Sequence, residues 1–153
     1  MRSRAVIQKE EMEKIIAGCN VCYVGMVDAN SEPYVLPFNF GFQDGILYLH
    51  SAKAGKKIDI LKNNNRVCVV FSTDHVLRYV NEEVACSWGM KYRSVLVYGK
   101  VEFIEDYDAK VSALEILMKN YSEKPFAFSK PSVDDVLPWK VIIDKMEGRV
   151  YGY

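Results

Sequence analysis

The segment 20–51, NVCYVGMVDANSEPYVLPFNFGFQDGILYLHS, constrains the fold more than any other part of the chain. It contains three short runs rich in β-branched and aromatic residues, at about 21–28, 33–42 and 46–50. The turn-forming sequences DANSEP and QDG separate these runs. Short strands joined by tight turns pair antiparallel, because parallel neighbours need a long crossover connection. The segment therefore predicts an antiparallel β-meander.

The rest of the chain adds further strands and a few helices. Further strands are expected at 66–72, at 92–106 and in the terminal segment PWKVIIDKMEGRVYGY, with a turn at Gly148; helices are expected at 8–17, at 56–61 and in DYDAKVSALEILMKNY. The total is six or seven strands and three helices that lie outside the meander. This pattern predicts a mainly β fold, a small antiparallel barrel with peripheral helices. The length of 153 residues suits one domain, 1–153.

Individual residues make this prediction more specific. Pro37 indicates an edge strand or a bulge, because proline has no N–H for a strand ladder. Gly99 indicates a bulge or bend in its long strand, and either Asp106 or Asp108 can cap the third helix. The apolar stripe of that helix is expected to comprise Val111, Leu114, Leu117, Met118 and Tyr121.

The charge balance limits the classes of partner. Twenty Lys and Arg residues stand against twenty Asp and Glu residues, so the chain has no net field to attract nucleic acid or a membrane surface. No apolar run approaches the roughly 20 residues needed to cross a bilayer. The N-terminal sequence MRSRAVIQKEEMEKII lacks the apolar stretch of a secretory signal. A cytoplasmic location without nucleic-acid or membrane partners is therefore expected.

The cysteines leave two interpretations open. Cys19 and Cys22 form a C-x-x-C motif, which occurs in zinc sites and in redox sites. A structural zinc site needs a second ligand pair, whereas Cys68 and Cys86 stand alone and neither histidine lies beside a cysteine. We therefore expect buried, inert thiols and no metal site, with redox or metal use as the less favoured alternative.

The junction after the third strand has the composition of an anion site. A strand ending at His50 and Ser51 is followed by Gly55, which permits close backbone approach, and by a helix that begins with Lys56 and Lys57. Free N–H groups and the dipole at a helix start attract anions, whereas two lysines there are unfavourable unless an anion binds. The alternatives are a solvated basic loop, and a His50 that is merely packed and hydrogen-bonded.

Two sequence stretches resemble a known family. The first, PYVLPFNFGFQDGILYLHSAKAGKKIDILKNNNRVCVVF, has in order a P-Y-x-x-P-x-x-F strand, a D-G turn, an H-S strand end, a G-x-K helix start and a Val-rich strand. The second, YRSVLVYGKVEFIED, resembles the following S-V-x-x-x-G strand. Over roughly residues 5–145 the chain resembles the flavin-binding split-barrel superfamily of pyridoxamine 5′-phosphate oxidase-like proteins. It is most similar to the 5-nitroimidazole-resistance (Nim-type) branch.

This resemblance implies a six-stranded antiparallel split barrel that forms a homodimer, with FMN, or FAD as an alternative, at the subunit interface. It also implies roles for individual residues. Leu36, Pro37, Phe38 and Asn39 would border the isoalloxazine; His50 and Ser51 would lie beside the ribityl phosphate; Gly55, Lys56 and Lys57 would receive the phosphate; Ser94 would reach the cofactor from the neighbouring long strand; and Trp139 of the other subunit would cover the ring.

The resemblance also implies a flavin-dependent oxidoreductase. It would reduce small molecules such as nitroimidazole-type compounds, with a reduced nicotinamide as candidate donor and His50 as the candidate catalytic residue. One alternative is a flavin- or nucleotide-binding module without turnover, such as a sensor or carrier. Another is a pyridoxamine-phosphate-oxidase-like enzyme, which needs a clamp for a second phosphate; Arg93 and Arg149 are isolated candidates for it. Related barrels bind haem or the deazaflavin F420.

Overall fold

A single antiparallel sheet dominates the computed structural model, which describes residues 2–153. Its strands are β1 (Ser3–Val6), β2 (Cys22–Val27), β3 (Pro33–Phe38), β4 (Gly41–Gln43), β5 (Ile46–Ala52), β6 (Arg66–Arg78), β7 (Gly89–Phe103) and β8 (Val136–Tyr151). Its helices are α1 (Lys9–Ala17), α2 (Lys56–Asn63), α3 (Tyr107–Lys119) and α4 (Lys130–Asp135), with a 3₁₀ turn at Ala85–Ser87.

The strands follow one another across the sheet in the order β3-β2-β6-β7-β8-β5-β4, and β1 pairs with β8. The sheet does not close, because β3 and β4 remain at its two ends. It curls instead: the ring of Phe38 on β3 meets the ring of Trp139 on β8 edge to face, with centroids 5.3 Å apart. This open, curled sheet with helices around it is a split barrel, which confirms the predicted fold class.

Alternating side chains of the central strands fill the interior of the barrel. The largest fully buried side chains include Trp139, Phe40 and Phe71. The rings of Phe40 and Phe71 meet edge to face at 4.9 Å, a favoured aromatic geometry. The opposite face of the same strands points outward, as the period of two in a strand requires.

The strand boundaries differ from the predicted ones in three places. Residues 33–42, predicted as one strand, are divided into β3 and β4. The N-terminal strand β1 was not expected, and it raises the count to eight. The predicted turn at Gly148 is wrong: Gly148 lies within β8 and pairs with Val6 and Val95. A Cβ atom at Gly148 would lie 2.6 Å from the Cβ of Val6, so the glycine allows β1 to approach.

Two local predictions are confirmed by the sheet. Pro37 lies in β3, which is an edge strand, and the register between β7 and β8 shifts between Tyr98 and Gly99. The segment 74–92, which has no clear sequence pattern, extends β6 and β7 into a two-stranded ribbon. A further register shift lies between Thr73 and Val76 in that ribbon.

Helix α3 begins as predicted and packs differently. The Asp106 carboxylate accepts a hydrogen bond from the Ala109 N–H at 3.0 Å and caps the helix. Its buried residues are Lys110, Ala113 and Leu117, so of the predicted apolar stripe only Leu117 is fully buried. The Nζ of buried Lys110 donates to the carbonyl oxygens of Val136 at 2.8 Å and Val133 at 3.3 Å, and these hydrogen bonds offset part of the cost of burying the ammonium group.

Among the described residues, no helix combines the length and the apolar character needed to span a bilayer.

Candidate functional site

The first part of the candidate site is the free edge of β3. Alternate side chains of this strand face opposite sides: Leu36 and Phe38 pack against the core, whereas Val35 is 59% exposed and Pro37 points outward with it. Asn39 follows the strand and is exposed. Because β3 has a strand neighbour on one side only, backbone N–H and C=O groups along its other edge are free to bind a flat polar ligand.

The second part is the end of β5. His50 lies opposite Pro138 in the β5–β8 ladder, and its Nδ1 atom is buried without a hydrogen-bond partner. Burial lowers the pKa of the His50 imidazole, so the ring is neutral at neutral pH. Ser51 is also buried, and its hydroxyl donates to the carbonyl oxygen of Ala52 at 2.9 Å. An unpaired buried nitrogen is rare, so Nδ1 is open to a hydrogen bond from a ligand or a water molecule.

The third part is the start of helix α2. Gly55 has φ +119° and ψ 174°, a conformation that is strained for any residue with a Cβ. No side chain caps the helix, so the N–H groups of its first turn have no side-chain acceptor. A Cβ placed on Gly55 would meet nothing within 4 Å. The glycine is therefore required by the backbone angle, and the space beside it is open for an anion.

Two lysines of this helix differ in environment. The Nζ of exposed Lys56 lies 4.6 Å from the centroid of the Tyr34 ring on β3, a cation–π contact. Lys57 is half-buried, and Lys53 in the preceding loop is exposed. The contact between Lys56 and Tyr34 places the start of α2 against β3. Three predicted parts of the site, the β3 edge, the β5 end and the α2 start, thus lie in one region of the molecule.

Ser94 lies elsewhere on the molecule. It is on β7, opposite Ser72 on β6 and Arg149 on β8. Three strand-to-strand steps separate β7 from β3, about 14 Å along the sheet at the usual strand spacing. Ser94 lines a cavity of about 720 Å³ together with Leu96, Met146 and Arg149. Within one chain, the structure does not bring Ser94 to the α2 corner.

The placement of Trp139 corrects one expectation. Trp139 has 0% exposure and belongs to the core of its own barrel. A side chain without exposed surface cannot cover a ring held by another subunit, so that predicted role is wrong. The core position follows from β8: Trp139 pairs with Leu49 on one side and Phe103 on the other. A lone aromatic residue in a strand gave no sequence signal to distinguish these roles.

The cysteines are free, and their surroundings differ. Cys19 and Cys22 are buried, and burial raises the pKa of Cys22 to about 12, which keeps its thiol protonated and unreactive. Cys68 is partly buried, whereas Cys86 is exposed, so the expectation of buried thiols holds for the C-x-x-C pair and does not extend to Cys86. Across residues 2–153, no three His, Cys, Asp or Glu side chains converge as a metal site.

Two features of the region were not predicted. The sequence assigns no role to Tyr34 beyond the P-Y-x-x-P motif, because its contact with Lys56 forms only when α2 folds back onto β3. The cavity beside Ser94 also has no sequence signature, because its lining comes from β1, α1, β6, β7 and β8. Arg149, one of its lining residues, donates from Nη1 to the Ser3 hydroxyl at 2.7 Å.

The fold and this corner define a class of protein: a split barrel with an uncapped helix start beside a free strand edge. The profile of the pyridoxamine 5′-phosphate oxidase family matches residues 8–150. The chain therefore belongs to the pyridoxamine 5′-phosphate oxidase family.

Solved structures agree with this assignment. The chain is similar to a proposed 5-nitroimidazole antibiotic resistance protein from Bacteroides thetaiotaomicron VPI-5482, at 42% identity and a TM-score of 0.87, over 97% of this chain and 87% of that one. The resemblance to the Nim-type branch is thereby confirmed.

Two more distant structures show the same fold. They are the flavocytochrome Anf3 from Azotobacter vinelandii, at 20% identity and TM-score 0.83 over 97% of this chain and 70% of that one, and a FAD- and heme-binding protein from Mycobacterium smegmatis, at 18% identity and TM-score 0.84 over 97% and 74%. None of the curated proteins compared with the chain matches it.

Proposed function

We propose that this protein is an FMN-binding oxidoreductase that reduces small molecules such as nitroimidazole-type compounds, with the flavin held between two copies of the chain. The observation that carries the proposal is the joining of the uncapped α2 start, with Gly55 and Lys57, to the free edge of β3. A phosphate ester suits the first feature and a flat heteroaromatic ring suits the second. The related structures of a flavocytochrome and of a FAD- and heme-binding protein support the same cofactor class.

The residues of the corner fit FMN chemically. The N–H groups at the start of α2 and the Lys57 ammonium would bind the phosphate. The free β3 edge would hydrogen-bond the polar rim of the ring system, and Pro37 and Val35 would form an apolar wall. When bound, the isoalloxazine supplies hydride and electron transfer. FAD is the alternative, because the phosphate end opens into the space beside Gly55.

His50 is the candidate for proton handling. Its pKa is lowered by burial, so at neutral pH the ring carries one donor and one acceptor nitrogen. Nδ1 has no partner among residues 2–153, which leaves it available to a cofactor or substrate atom. A neutral imidazole beside the redox centre can donate a hydrogen bond from its N–H and accept a hydrogen bond or a proton at its other nitrogen.

The outer face of the sheet is the proposed dimer interface. One row across the strands runs Pro37–Tyr23–Val70–Leu96 by direct register. Tyr23 on this row is 48% exposed, and exposed apolar patches mark association sites. A two-fold pairing would bring the 720 Å³ cavity with Ser94 of one copy towards the β3 edge of the other. Both copies would then be needed to complete each site.

The pyridoxamine-phosphate-oxidase alternative has less support from the side chains. Arg93 forms an ion pair with Asp74, with Nη1 and Oδ2 2.6 Å apart, and Arg149 is engaged by Ser3. Neither arginine joins the α2 corner within the chain. Within one chain, a clamp for a second substrate phosphate is therefore not assembled.

Anaerobic spectroscopy tests the proposal. Purified protein saturated with FMN is mixed with NADH or NADPH, and the flavin absorbance should bleach; addition of a 5-nitroimidazole should then restore it while the drug is reduced. If the flavin is bleached by the nicotinamide but not reoxidised by the nitroimidazole, the reductase proposal is wrong and the sensor or carrier alternative is favoured. Failure to take up any flavin would overturn both. The oligomeric state is measured on the same sample, where Val35→Glu should yield monomers that lose flavin.

A further inference from the structure

A second cavity lies far from the corner described above, at the end of the β6–β7 ribbon where residues 79–88 connect the two strands. It has a volume of about 230 Å³ and lies against the C-terminal end of β8. Its main side chains are those of Arg78, Tyr79, Trp88, Lys91 and Tyr151. Sites for drug-sized ligands occupy about 300–1,000 Å³, so this volume suits a smaller ligand of about the size of a mononucleotide.

The cavity has a prepared aromatic surface. The rings of Tyr79 and Trp88 stack with centroids 4.3 Å apart and an interplanar angle of 30°. The Trp88 indole N–H donates to the Glu82 carbonyl oxygen at 3.0 Å, which fixes the ring orientation. Trp88 is nevertheless 37% exposed. A held aromatic ring with free surface is a stacking platform for another flat ring.

The charges of the lining are all positive. Arg78 and Lys91 contribute two cations, and no carboxylate lines the cavity. Arg78 has no ion-pair partner within residues 2–153, and the Lys91 Nζ lies 3.7 Å from the centroid of the Tyr153 ring. Glu82 and Glu83 are on the same loop but not in the lining. An anion in the cavity would meet two cations.

We propose that this cavity binds an aromatic ring that carries a phosphate, namely the adenosine 5′-phosphate class. Trp88 would stack on the base, and Arg78 and Lys91 would bind the phosphate. The adenosine phosphate can come from a nicotinamide dinucleotide donor, from FAD or from a free nucleotide. The two dinucleotide sources rest on the proposed function, whereas the site itself does not.

Binding of adenosine 5′-monophosphate tests the site. Calorimetric titration of the full-length protein should show saturable binding, and Arg78→Gln or Lys91→Gln should weaken it at least tenfold. Lys119→Gln on α3 is the matched control and should bind like the parent. Adenosine and inorganic phosphate should each bind at least tenfold more weakly than the nucleotide. The nucleotide should also change the fluorescence of Trp88, while fully buried Trp139 supplies a constant background.

Competition distinguishes the sources of the nucleotide. Loss of the site in FAD-loaded but not FMN-loaded protein assigns it to FAD, displacement of the nucleotide by NADH assigns it to the donor, and neither effect assigns it to free nucleotide. Flavin content is read from the same samples by absorbance, so a failure of the flavin proposal is seen separately. Absence of saturable nucleotide binding, or equal binding by Arg78→Gln and the parent protein, would overturn the inference.

Discussion

The replacement Lys57→Ala separates the roles of charge and structure at the α2 corner. Lys57 is half-buried, and the helix start beside it has no side-chain cap. A charge-assisted hydrogen bond contributes about 1.5–3 kcal/mol, so FMN binding should weaken roughly ten- to 150-fold. The backbone N–H groups remain, so binding should not vanish. Without flavin, removing a cation from a helix start should stabilise the protein by about 0.3–1 kcal/mol.

Titration monitored by flavin fluorescence measures these affinities. Riboflavin, which lacks the phosphate, is the decisive comparison: its affinity should be the same for Lys57→Ala and the parent. Lys119→Ala on α3 removes an exposed lysine away from the corner and should change neither affinity. The phosphate assignment is refuted if FMN affinity is unchanged by Lys57→Ala, or if riboflavin and FMN affinities fall together.

Three further predictions concern neighbouring residues. Gly55→Ala should destabilise the protein by about 1–3 kcal/mol in chemical denaturation, because φ +119° is strained for alanine; an unchanged midpoint would contradict this. The pKa of His50 is lowered in the folded state, so the unfolded chain binds more protons and stability should fall as pH drops through about 6.5. His50→Gln should flatten that part of the stability profile, and an unaltered profile would exclude His50 as its source. Trp139→Ala should cost about 3–5 kcal/mol as a core truncation, whereas Trp139→Phe should cost less, because the indole Nε1 has no hydrogen-bond partner to lose; equal losses would show otherwise.

Local sequence signals predicted much of the fold. Strand alternation and turn residues depend on neighbours in sequence, and they predicted the meander. For the same reason, Pro37 predicted an edge strand and Asp106 predicted the start of α3. The G-x-K helix start could be predicted for the same reason, because the conformation of Gly55 and the position of Lys57 in the first turn depend on the local backbone.

Features that depend on tertiary packing could not be predicted. The burial of Trp139 depends on the curling of β3 towards β8, and the burial of Lys110 depends on carbonyl groups at the end of α4. Close approach of β1 decides the role of Gly148. Ser94 and the α2 corner lie apart within one chain, so the relation between them depends on a second copy.

A crystal structure of the protein with saturating FMN tests the central claim most directly. We predict phosphate density within hydrogen-bonding distance of the N–H groups of Lys56 and Lys57 and of the Lys57 ammonium, with the ring system along the free edge of β3. Flavin bound elsewhere, or solvent alone beside Gly55, would contradict the account.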